Sequence, residues 1–144
     1  MIPHPAKALA DLAVKLAQSI APETSSSYAM ANTGLISMLL LAMAQDSDRA
    51  AANRAADIED MKRLFAGAAE THPDAPGSAA RAHFCAGVPT GLRISELDAF
   101  HAQGMAALID LHPWAETHAP PLSYEIWNFL LAHTERNRFD LPGA

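Results

Sequence analysis

Apolar residues recur at helical spacing through most of the chain, and proline or clustered polar residues interrupt them. Leu9, Leu12, Leu16 and Ile20 share one face, which predicts a first helix starting after Pro3 or Pro5 and stopped by Pro22. Ser25, Ser26 and Ser27 are good N-cap types for a second helix over 25–45. That helix is apolar nearly all round, so it is expected either at the centre of the fold or in a subunit interface. Asp46, Ser47 and Asp48 read as a break and a new N-cap, followed by a third helix to about Glu70 with Ile58, Met61, Leu64, Phe65 and Ala68 inward and Glu59 pairing with Lys62 or Arg63 outside. A link this short would make the second and third helices antiparallel.

Pro73, Pro76 and Gly77 predict a loop over 71–77, and a short helix is expected over 78–86. A second break over 87–91 precedes a helix capped by Ser95, with Leu97, Phe100, Gly104, Leu108 and Leu111 on its face and Pro113 either ending it or beginning a further short turn. The last helix opens near Ser123 after Pro120 and Pro121, with Ile126, Phe129, Leu130 and His133 on one side. Residues 136–144 are expected to fray.

The pattern therefore predicts an all-α fold, a compact bundle or orthogonal array of five main helices plus one short helix. Composition sharpens this: thirty-one alanines stand against two valines and seven isoleucines, so strong helix formers abound and strand formers are scarce. A chain of 144 residues is the size of one domain, and 1–144 is read as a single helical domain because neither half holds much core alone.

Net charge is −6, with six Lys/Arg against eight Asp/Glu over 1–72 and four against eight over 73–144. With no basic cluster, neither nucleic acid nor an anionic membrane is an expected partner. The uncharged run over 24–45 is long enough to span a bilayer, but Thr24, Ser25, Ser26, Ser27, Asn32, Thr33 and Ser37 break up its first half, so a packed helix is expected instead. The N-terminus lacks a secretory h-region, and the lone Cys85 rules out an internal disulfide; a cytoplasmic location is expected.

Candidate chemistry concentrates over 110–118, where His112, Glu116 and His118 are of the types that hold zinc or ferrous iron. His112 and Glu116 can share a helix face, whereas His118 lies well round from them. The competing reading is a helix end with Trp114 packed on the core. Trp114, Tyr124 and Trp127 are candidate walls of an apolar ligand pocket, and His133 and His101 are candidates to meet across the core as a buried polar site. Cys85, two residues after His83, is a candidate thiolate, read more simply as a small buried hydrophobe. The backbone N–H groups of 87–93 with Arg93 could cradle a small anion. Ferritin-like Glu-x-x-His pairs, His-Glu-x-x-His, Cys-x-x-Cys and Walker-type glycine loops are all absent.

These features favour a non-enzymatic association module acting as a homodimer and needing no cofactor. The alternative is a protein that binds a small ligand or a divalent metal such as zinc, conceivably a hydrolase, through 110–118. Whether the chain is an enzyme stays open at this point.

Overall fold

The computed structural model describes residues 4–140, and among these every regular element is helical. Helix α1 spans Pro5–Lys15 and runs on through a π turn, Leu16–Ile20, and a 3₁₀ turn, Ala21–Glu23. Then come α2 (Ser27–Thr71), α3 (Ser78–Ala86), α4 (Ile94–His118) and α5 (Pro120–Arg136). The all-α class follows from the alanine-rich sequence as expected. A start at Pro3, and the expected fraying of 141–144, lie outside the described residues.

The second and third expected helices are in fact one, α2, so the expected antiparallel hairpin does not form. Asp46, Ser47 and Asp48 have only modestly poor helix propensity, a few tenths of a kcal/mol each, and there is neither glycine nor proline among them to break the ladder. Arg49 bridges the supposed break by donating to Gln45 Oε1 at 2.6 Å, one turn back.

The described chain divides into two compact units, residues 4–50 with 139–140 and residues 51–138. In the first unit, Ser37 Oγ donates to the carbonyl of Ala13 at 2.7 Å, tying α2 to α1. Gln45 accepts from Asp140 N–H at 2.8 Å and donates to its carbonyl at 2.9 Å, while Arg49 pairs with its carboxylate. The buried residues here are small: Ala13, Ala21, Ser37, Ala44 and Ala50. The start of α2 is therefore not the centre of a core, contrary to one of the two places expected for it. Tyr28, Leu35, Ile36, Met38, Leu39 and Met43 are all exposed. By length and composition alone α2 is apolar enough to cross a membrane.

The second unit holds the hydrophobic core. Ile58, Met61, Leu64, Phe65 and Ala68 of α2 pack with Phe84 of α3, with Leu97, Phe100, Leu108 and Leu111 of α4, and with Leu122, Ile126 and Phe129 of α5. Phe84 is the hub, stacked on Phe100 at 4.7 Å between centroids and edge-on to Phe65 at 5.7 Å. Gly104 allows this approach: a β-carbon there would stand 2.6 Å from Phe84 Cζ and 2.7 Å from Met61 Cε. The loop after α2 turns at Gly77, φ 75°, and buried Arg81 donates to the carbonyls of Pro76 and Ala75.

Helix α4 does not end at Pro113 but continues to His118. The carbonyl left without a donor belongs to Ile109, whose side chain is exposed, so water can satisfy it on the outer face. Arg93 rather than Ser95 is the N-cap, because the Glu96 carboxylate reaches back to accept from Arg93 N–H at 3.0 Å. Helix α5 starts three residues before Ser123, since Pro120 and Pro121 suit a first turn that lacks N–H partners anyway. One residue, Ala119, joins α4 to α5. The two run antiparallel, with His112 beside Trp127 near the joint and His101 beside His133 far from it.

Candidate functional site

Asp57 lies on the same stripe of α2 as Met61, Leu64 and Ala68, and this places a carboxylate on the core side. Its exposure is 0 %. Burying a charge without partners is prohibitive, so the surroundings decide its state. His133 Nδ1 of α5 lies 2.6 Å from Asp57 Oδ2, and Arg136 Nη1, one turn further on, donates to Oδ1 at 2.6 Å. Arg136 also reaches Asp60 through Nη2. From α4, His101 Nε2 approaches Oδ2 to 3.3 Å. That is ionic reach and close enough to help keep the carboxylate charged, but it falls short of a well-formed hydrogen bond, and this buried nitrogen has no other partner.

The two imidazoles stack with centroids 5.7 Å apart, and Phe129 covers the His133 ring at 6.2 Å. Outer contacts fix the frame. Asn137 Nδ2 donates to the His133 carbonyl at 2.8 Å, Asn53 donates to the Arg136 carbonyl at 2.8 Å, and Arg54 joins Asp98 to Asn137. Burial pushes the Asp57 pKa up, but His101, His133 and Arg136 outweigh it and bring it to about 2. Burial also opposes the charge on Arg136, and the hydrogen bonds and charges of Asp60 and Asp57 reverse that, raising its pKa. Asp57 is thus a carboxylate at any ordinary pH.

Asp57 Oδ2, His101 Nε2 and His133 Nδ1 lie within 4.8 Å of one another, one carboxylate and two imidazoles converging from three helices. A metal about 2.1 Å from each ligand in a tetrahedral site would set neighbouring donors about 3.4 Å apart. The 3.3 Å contact fits as it stands, and the 2.6 Å contact would have to open by somewhat less than about 1 Å to admit an ion.

Of the residues singled out in the sequence, His101 and His133 do meet across the core. The 110–118 segment lies at the end of α4. His112 Nε2 is 3.6 Å from Glu116 Oε1, but His118 Nδ1 bonds instead to Thr117 Oγ1 at 2.6 Å and to the Trp114 carbonyl at 3.0 Å. Its ring stacks on Trp114, whose other neighbour is His72. Tyr124 and Trp127 are 72 % and 54 % exposed. Cys85 lines a small cavity of about 140 Å³ with Phe65, Ser78 and Arg81, and burial raises its thiol pKa although Lys62 and Arg81 pull the other way. It is a protonated thiol, not an activated one. The candidate anion cradle at Arg93 N–H is taken by Glu96. Glu59 is not the partner of the nearby cations: Arg63 pairs with Asp60, and Lys62 donates to the Gly87 carbonyl at 2.9 Å.

Sequence reasoning missed Asp57, Asp60 and Arg136. A carboxylate inside an apolar helical stripe was the available signal for Asp57. Arg136 was assigned to the frayed end, yet it is the last residue of α5 and is held by two carboxylates. No protein-family model, curated protein or solved structure matches this chain.

Proposed function

We propose that the second unit is a divalent-metal-binding module, with Asp57, His101 and His133 as the protein ligands. The observation that carries this is the convergence within 4.8 Å of one carboxylate oxygen and two imidazole nitrogens from three helices, with His101 Nε2 aimed at a carboxylate oxygen that His133 already contacts. A buried nitrogen without a hydrogen bond costs about 1–3 kcal/mol, which an ion bound there would offset. Two imidazoles and one carboxylate suit a first-row transition ion such as zinc or ferrous iron better than calcium or magnesium, which prefer oxygen. Three protein ligands leave at least one coordination position for water or a small ligand. Arg136 holds the far oxygen of Asp57, the role outer-shell donors play in orienting a ligating carboxylate.

The test is titration of chelator-treated protein with Co²⁺, followed by its visible d–d absorption, and with Zn²⁺ by calorimetry. One ion per chain is expected. His101→Phe keeps a ring in the stack but removes the nitrogen, and it should lose about 10- to 100-fold or more in affinity. His112→Ala and His118→Ala should bind as the parent does. An unfolded His101→Phe is recognised by circular dichroism, and His133→Phe then stands in for it. Stoichiometric binding that survives both ring substitutions, or no binding by the parent, rejects the proposal.

A further inference from the structure

The exposed face of α2 in the first unit supports a second inference, independent of the metal site. Tyr28, Leu35, Leu39 and Asp46 are spaced by seven, four and seven residues and so form one line along the helix. Ile36, Met38 and Met43 flank it, and all six apolar side chains are exposed while the opposite side of α2 packs on α1 through Ser37. At on the order of 100 Å² apiece they present roughly 600 Å², at the upper limit for a monomer's largest apolar patch. It is also most of the ~800 Å² per partner of a standard dimer.

We infer that this face binds a second copy of the same face, with the two α2 helices antiparallel across a two-fold axis that passes between them at the level of residue 37. Such an axis sets Leu35 against the partner's Leu39, small Ala31 against the partner's Met43, and Tyr28 against the partner's Asp46. It is self-complementary in charge as well as in size. The start of α2, where Ser26 Oγ accepts from Ala29 N–H at 3.4 Å, is the positive end of the helix dipole, and the pairing brings the partner's exposed Asp46 to it.

Lipid is the other chemistry that suits an apolar helix, and α1 argues against it. The Ser37–Ala13 hydrogen bond sets α1 beside the middle of the uncharged run 24–45. Asp11 and Lys15 lie within a turn of Ala13, and Lys7 pairs with Asp11 in solvent. In a bilayer these charges would sit near mid-depth at about 3 kcal/mol each. In a dimer they stay at its wet edge.

Sedimentation equilibrium on the full chain tests the pairing. The parent should be a dimer at tens of micromolar, and Leu39→Glu, exposed in the single copy, should be a monomer of unchanged helicity. Asp46→Lys should weaken the dimer by roughly two- to fivefold, an effect that salt reduces. Should Leu39→Glu fail to fold, Leu35→Glu is the same test from the other side of the axis. A parent that stays monomeric to about 100 µM overturns the inference. So does a dimer that survives the folded glutamate variant, or a parent that pellets with phosphatidylcholine vesicles.

Discussion

Asp57 and Arg136 meet at 2.6 Å, although 79 residues separate them in sequence. The contact ties α2 to the last turn of α5, and Asp57 is not free to turn to water without opening the unit. Removing the carboxylate leaves a half-buried guanidinium and an imidazole facing an empty place. Asp57→Ala is expected to destabilise the metal-free protein by roughly 3 kcal/mol, the low end for a broken buried pair because Asp60 still holds Arg136. Asp98→Ala removes the more exposed pair with Arg54 and should cost less than about 1 kcal/mol. Urea unfolding of the two variants side by side checks the contrast, and equal losses would contradict it.

The same carboxylate sets an acid limit. Its folded pKa of about 2 lies below the ordinary value of 3.8. A depressed carboxylate contributes stability that is fully present above its unfolded pKa and is lost as pH falls through the folded one. Metal-free protein should therefore lose roughly 2 kcal/mol between about pH 4 and pH 2 through this group. The measurement is urea unfolding over that range for the parent and Asp57→Asn, and the substituted chain should lose less.

Gly104 permits the closest packing in the core. Gly104→Ala would drive a methyl into Phe84 and Met61, with a cost of roughly 1–3 kcal/mol despite the better helix propensity of alanine. Met61 is flexible, so Gly104→Ala combined with Met61→Leu should recover part of the loss. Thermal unfolding of the single and double variants decides it.

Cys85 should react slowly with iodoacetamide at neutral pH, because its raised pKa keeps the thiolate fraction below that of an ordinary free cysteine. The rate should rise with pH later than for a model thiol. A rate at pH 7 above that of free cysteine would show that the charge of Lys62 and Arg81 prevails over burial.

The helical class was legible because composition and spacing agree: alanine dominates, and proline and glycine mark the loops at 72–77 and 87–93. The break placed at Asp46–Asp48 was not legible correctly, since capping residues only permit a helix start and do not impose one. Half of the site could be read. His133 stands on the predicted inward face of the last helix and His101 beside Phe100 on the one before, and their meeting follows from two antiparallel helices. Asp57 is a lone carboxylate in an otherwise apolar stripe, where periodicity marks only the apolar members, and Arg136 stands at the last turn of α5, close to the chain end. The 110–118 segment drew attention because its imidazoles and carboxylates are neighbours in sequence, but a helix turns such neighbours to different sides. Its backbone carbonyls and hydroxyls engage His118, while the core gathers ligand-type atoms from three distant segments.

Ala119, the one residue joining α4 to α5, works as a phase lock. Each residue inserted there would rotate α5 by about 100° and slide it by about 1.5 Å, carrying His133 away from His101 while leaving both helices intact. Length variation at this corner is therefore incompatible with the paired imidazoles, and the loop over 87–93, outside the span between them, is where insertions should be tolerated.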